Sequence, residues 1–133
     1  MTTFVDTSAL YALIDRDDRF HVEAATIWRR SLENGALLAT SNYVIVESSA
    51  LVQSRLGIAA LRTLTLDVLP NVESIWVGPE EHGAAVAACL TAGRRGLSLV
   101  DCTSFEIMRR SGLRQVFAFD PDFDAAGFTA VSA

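Results

Sequence analysis

The stretch Thr3-Phe4-Val5-Asp6-Thr7-Ser8-Ala9-Leu10 decides how the rest of the chain is read. A short apolar run, Thr3–Val5, stops at an acid, and a helix begins near Ser8. An aspartate is thus expected at the carboxyl end of a first strand. Four further apolar runs have the same character: Leu37–Ala39, Ser74–Val77, Val116–Phe119 and Phe128–Val131. They are nearly all apolar rather than alternating, as expected for strands covered on both faces of a parallel sheet. The segments between them have helical spacing. His21–Glu33 is followed by Gly35, Tyr43–Leu56 by Gly57, and Ile58–Leu69 by Pro70. Pro79 sits at the first turn of Glu80–Ala92, and a last long helix spans Leu99–Ser111. This alternation predicts a three-layer α/β fold with a five-stranded, mostly parallel sheet. Such sheets bind ligands outside the carboxyl ends of their strands, where the strand order reverses. Asp6 follows the first strand and Asp120 follows the fourth.

A chain of 133 residues, half of them hydrophobic, is read as one domain spanning residues 1–133. There is no low-complexity tract, Pro/Gly/Ser-rich linker or internal repeat. The N-terminus lacks the basic start and apolar stretch of a signal peptide, and no apolar run approaches the ~20 residues of a membrane span. The expected location is therefore cytoplasmic, with no membrane partner. Cys89 and Cys102 have no metal-ligand spacing and form no disulfide framework, so both are read as small core residues. The net charge of −5 argues at first sight against a nucleic-acid partner. That objection weakens if the acids converge on divalent cations. All eleven basic residues are arginine, which removes every mechanism that needs a lysine.

Four acids stand out. Asp6 closes Phe4-Val5-Asp6, and Asp120 closes Phe117-Ala118-Phe119-Asp120-Pro121-Asp122-Phe123. Glu47 lies inside the apolar helix Val44-Ile45-Val46-Glu47-Ser48-Ser49-Ala50-Leu51, and Asp101 lies in the first turn of Leu97-Ser98-Leu99-Val100-Asp101-Cys102-Thr103-Ser104-Phe105. Asp6 and Asp120 also have the chemistry of helix caps or turn residues, and Asp101 that of a capping-box partner to Ser98. Glu47 resists that treatment, because it falls beside a wide apolar face where a carboxylate needs a cation, a donor or a raised pKa. Asp101 shares a helical face with Phe105 and Met108 and so points to the core edge. Clustered carboxylates repel, and a hard divalent cation is the usual resolution. Mg²⁺ suits oxygen ligands best, with Mn²⁺ as substitute.

In that order and across nearly the whole chain, these segments resemble the motifs of PIN domains, in particular the VapC toxins of bacterial toxin–antitoxin pairs. The N-terminal Val5-Asp6-Thr7-Ser8 is similar to the family's opening motif, and Phe119-Asp120-Pro121-Asp122-Phe123 to its closing Asp-x-x-Phe element. The resemblance implies a sheet ordered 3-2-1-4-5, with Asp6 and Asp120 at the switch point. It implies Asp6, Glu47 and Asp101 as an acidic triad with Asp120 as a fourth member, which Asp122 supplements or replaces. It also implies a small polar side chain near the first Asp, a place that Thr7 fits, with Ser98 and Thr103 as further hydroxyls. Many relatives have Thr or Ser where this chain has Phe119. The activity implied is Mg²⁺-dependent hydrolysis of RNA phosphodiesters by a homodimeric toxin paired with a VapB-like antitoxin.

In that chemistry metal ions orient and activate a water, and no histidine base is needed; neither His21 nor His82 has an evident catalytic partner. Arg94 and Arg95, in the loop before the helix of Asp101, are candidate substrate-phosphate contacts. Phosphatases of the haloacid-dehalogenase type need a second Asp where Ser8 stands, and receiver domains and P-loop enzymes need a lysine. The remaining alternatives are a catalytically silent PIN scaffold that binds a partner protein, and a DNA- or flap-directed nuclease with the same site.

Overall fold

The structure, a computed structural model, describes all residues from Met1 to Ala133. Its elements in chain order are β1 (Thr2–Val5), α1 (Thr7–Ile14), α2 (His21–Glu33), β2 (Leu37–Ser41), α3 (Asn42–Leu56), α4 (Ile58–Thr63), β3 (Glu73–Ile75), α5 (Pro79–Ala92), α6 (Leu99–Arg110), β4 (Gln115–Phe117), α7 (Asp122–Ala125) and β5 (Thr129–Ala130). The sheet is parallel throughout, in the order β3-β2-β1-β4-β5, within an α/β/α arrangement. From β1 the chain winds outward through β2 and β3, then returns to the other side of β1 with β4. The switch point lies between β1 and β4, where Phe4 pairs with Val116 and Val5 with Phe117.

Burial follows the position of each strand. Phe4, Val5, Val116 and Phe117 are almost wholly inaccessible, as the central pair should be. The edge strands are largely exposed, so β3 and β5 do not have the two-sided cover expected from their apolar sequences. Both are also shorter than expected. Val77 leaves β3 because its N–H donates to Asn42 Oδ1 (2.8 Å). β4 ends at Phe117 rather than Phe119 because the Phe119 N–H donates to Ser8 Oγ (3.0 Å) instead of continuing the ladder. The expected helix Ile58–Leu69 stays α-helical only to Thr63. It widens into a π turn over Leu64–Val68 and leaves through a 3₁₀ turn, Leu69–Asn71, because Pro70 has no N–H to carry the α pattern on.

Helix α7 was not evident in the sequence, being only four residues long. It is pinned by one ring. Phe123, 1% exposed, meets Phe105 edge-on at a centroid distance of 5.0 Å and lies 6.4 Å from Phe128. That aromatic cluster joins α7 to α6 and fixes the loop carrying Asp120 and Asp122. Phe123→Ala is expected to cost about 3–5 kcal/mol of stability in urea denaturation. A loss below about 1 kcal/mol would mean that α7 is held by something other than this ring.

Candidate active site at the switch point

Asp6 leaves β1 and caps α1. Its Oδ2 accepts from the Ser8 N–H (3.1 Å) and from Ser8 Oγ (2.7 Å), while its own N–H donates to the Phe117 carbonyl (3.0 Å). Ser8 Oγ in turn accepts from the Phe119 N–H, so one hydroxyl ties the end of β1 to the segment leaving β4. The hydroxyl bonded to Asp6 is thus that of Ser8. Thr7, named from the resemblance, also faces the same cleft; its Oγ1 is buried and has no protein partner. Asp101 stands in a reciprocal capping box: its N–H donates to Ser98 Oγ (3.0 Å), and its Oδ2 accepts from the Ser98 N–H (3.1 Å). Asp120 Oδ1 accepts from the Asp122 N–H (2.9 Å), and Asp122 Oδ1 pairs with Arg94 (3.1 Å). Thr103 is directed elsewhere, bonding the Leu99 carbonyl within α6 (2.8 Å).

Asp6, Glu47, Asp101 and Asp120 line one open cleft of about 410 Å³, together with Thr7 and Ser98. Oxygens of Asp101, Asp120 and Asp122 lie within 4.8 Å of one another. Cap and cleft are not competing roles. Asp6, Asp101, Asp120 and Asp122 each commit one carboxylate oxygen to a local partner and leave the other without a protein donor. Glu47, half-buried on the α3 wall, has no partner at all among the hydrogen bonds and ion pairs. The only cation paired within the group is Arg94, on Asp122. The oxygens already within ligating reach are those of Asp101, Asp120 and Asp122, while Asp6 and Glu47 line the same cleft outside that group. An all-oxygen set with spare acceptors and one neutralising arginine, beside a buried orphan hydroxyl at Thr7, fits a hard divalent ion.

The electrostatics agree. Burial raises the Asp6 carboxyl from 3.8 to about 6, against the lowering effect of its Ser8 bonds, and the Asp101 charge adds to the rise. Burial likewise raises Asp101, opposed by its bond from Ser98, with Asp120 and Glu47 pushing further upward.

The chain matches the PIN-domain family model over residues 3–129. It is 35% identical over 131 residues to the 23S rRNA-specific endonuclease VapC20 of Mycobacterium tuberculosis, covering 96% of each chain. This chain belongs to the PIN-domain family, VapC type. PIN domains of this type are divalent-metal-dependent nucleases that hydrolyse RNA phosphodiesters, which sets the enzyme class of the chain. The crystal structure of M. tuberculosis VapC20, a toxin cleaving the sarcin–ricin loop, superposes with a TM-score of 0.89 at 32% identity, covering both chains fully. Two more distant structures share the fold. VapBC2 of Rickettsia felis, bound to a promoter DNA fragment, gives a TM-score of 0.73 at 12% identity, covering 98% of each chain. FitAcB of Neisseria gonorrhoeae gives 0.63 at 17% identity, covering 98% of this chain and 96% of that one.

Several cleft residues escaped the sequence reading. Ser8 was legible in principle, since a hydroxyl two residues after a capping Asp is placed to bond it. Tyr11, Asp18, Phe20, Leu51 and Arg55 complete the lining. They carry no motif and are brought together only by the packing of α1 and the following loop against α3. His21 bonds the Ala12 carbonyl (2.8 Å) and His82 bonds Tyr43 (2.6 Å), both outside the cleft lining.

The raised Asp6 pKa gives a pH prediction for the metal-free protein. A carboxyl whose folded pKa lies above its unfolded value stabilises the fold below about pH 4 and loses that contribution as pH rises toward about 6, here roughly 3 kcal/mol. Asp6→Asn keeps a capping oxygen but cannot ionise. In EDTA its stability advantage over wild type should therefore be larger at about pH 7 than at about pH 4. Equal advantages at the two pH values would mean that Asp6 is not desolvated.

Proposed function

We propose that this chain is the toxin of a bacterial toxin–antitoxin pair, an endoribonuclease that uses Asp6, Glu47, Asp101 and Asp120 as catalytic carboxylates. The observation that carries the reading is the convergence of these four acids, from four separate segments, in one cleft at the sheet's switch point. The proposed substrate is the sarcin–ricin loop of 23S rRNA, by analogy with VapC20. A cognate VapB-like antitoxin, a homodimeric toxin and a cytoplasmic location belong to the same proposal. No helix of the chain is long and apolar enough to cross a membrane.

The proposed cofactor is Mg²⁺, replaceable by Mn²⁺. Asp6, Glu47, Asp101 and Asp120 would hold it, with Asp122 as the supplementary ligand. Bound there, it supplies a water of lowered pKa and compensates charge on the phosphate oxygens. The protein's own part is positioning. The Ser8 and Ser98 bonds fix Asp6 and Asp101 with their free oxygens in the cleft, and Asp122 fixes Asp120 in the same way. Glu47, unbonded, or Asp120 would accept a proton from the attacking water. Thr7 and Ser98 serve as supporting hydroxyls on the cleft wall. Arg95, exposed and free of ion pairs on the α5–α6 loop, is a further phosphate contact in this proposal. Arg94 is committed to Asp122 and serves chiefly to neutralise it.

The test is cleavage of 23S rRNA, mapped by primer extension, with Mg²⁺ or Mn²⁺ and with EDTA, alongside a DNA oligonucleotide of the same sequence. Cleavage within the sarcin–ricin loop is expected only with metal and only on RNA. Asp6→Asn and Asp101→Asn should each reduce the rate by at least about a hundredfold. Equal cleavage of the DNA would point to a DNA-directed nuclease, and metal-insensitive binding without cleavage to a silent scaffold.

A further inference from the structure

The cleft is not uniformly acidic. Glu47, Leu51 and Arg55 all line it, four and eight residues apart along one face of α3. That stripe carries the cleft from the carboxylate floor to a cation about 12 Å farther along the helix axis. Arg55 is the only basic residue in the lining. It is exposed, it belongs to no ion pair, and its guanidinium carbon sits 5.3 Å from the centre of the Tyr11 ring. Tyr11 is itself anchored, its hydroxyl donating to Asp15 Oδ2 (2.8 Å). The guanidinium therefore has a fixed aromatic support, donates to the Tyr11 hydroxyl, and keeps further N–H donors to offer. Only Arg29, Arg94 and Arg110 of the eleven arginines are ion-paired, so pairing is not what places Arg55 in the lining.

The adjoining wall is aromatic. Phe20 lies flat on Phe119, with centroids 4.5 Å apart and planes within 4°, and the Arg19 guanidinium caps Phe20 at 4.5 Å. This stack accounts for the aromatic residue at position 119: it builds the cleft wall, while the hydroxyl beside Asp6 is provided by Ser8.

Resting on the ribonuclease reading, we propose that Arg55 is the principal substrate-phosphate contact, binding a backbone phosphate that flanks the scissile one while the strand runs along the Tyr11–Phe20 wall. It is exposed at the open cleft, it keeps donors beyond its Tyr11 contact, and it forms no ion pair with any carboxylate. Arg94, by contrast, already spends its charge on Asp122. Arg55 touches the substrate backbone without entering the bond-breaking step, so it is a positioning residue. Its loss should raise KM much more than it lowers kcat.

The experiment measures fluorescence anisotropy of two labelled RNAs with the full-length protein in Ca²⁺ buffer across a salt series. One RNA is the sarcin–ricin stem-loop, and the other is an unrelated single strand of equal length. Wild type, Arg55→Ala, Arg55→Lys and Arg94→Ala are compared. Arg55→Ala should weaken binding of both RNAs about tenfold and flatten the slope of log Kd against log salt by about 0.7–0.9. Arg55→Lys should restore the slope but only part of the affinity, and Arg94→Ala should lose less than Arg55→Ala. An Arg55→Ala protein with wild-type affinity and slope overturns the proposal, as does a larger loss in Arg94→Ala. If wild type binds both RNAs equally and the Arg55 effect persists, the proposal holds and the sarcin–ricin reading fails. No measurable binding of either RNA by wild type overturns both.

Discussion

Everything at the functional end of this molecule depends on one unfavourable interaction, the crowding of carboxylates at the carboxyl ends of β1 and β4. Removing Asp6 from water, with the Asp101 charge beside it, costs the folded chain free energy and pushes its carboxyl up to about 6. The chain supports this arrangement with helix N-termini. Asp6 and Asp101 each place one oxygen on N–H groups that a helix start leaves unsatisfied, where a negative charge is also favoured by the helix dipole. One oxygen of each carboxylate is thereby held, and the other is left without a protein donor.

That division explains how the acids looked in the sequence. Cap and ligand seemed to be alternatives for Asp6, Asp101 and Asp120, because each residue type and position suited both. With two oxygens per carboxylate the choice disappears. The strand-helix alternation was legible because the central strands are solidly apolar, and Glu47 was legible because it interrupts an apolar helix. Its half-buried place on the cleft wall lies between the fully buried and the surface positions that a helical wheel distinguishes.

The parts that were not legible depend on contacts between segments distant in sequence. The end of β4 is set by a serine more than a hundred residues earlier, through the Phe119 N–H to Ser8 Oγ bond. The end of β3 is set by Asn42, and the break after α4 by Pro70, whose effect reaches back through a π turn. Helix α7 is too short for periodicity to mark and exists because Phe123 has an aromatic cluster to enter. The cationic and aromatic wall of the cleft arises in the same way, from α1, the loop after it and the end of α3. It also removes the objection raised by the net charge of −5: the acids are concentrated at one site, and free arginines border it.

If these carboxylates form one metal site, Mn²⁺ bound there broadens the amide signals around it by its paramagnetism. In a ¹⁵N-resolved NMR titration with substoichiometric Mn²⁺, amides near Asp6–Ser8, Ser98–Asp101 and Asp120–Phe123 should broaden first and together, with Glu47 among them. EDTA should restore them all. First broadening at another acidic cluster, such as Asp15–Asp18 or Glu80–Glu81, with the switch-point amides still sharp, would contradict that site.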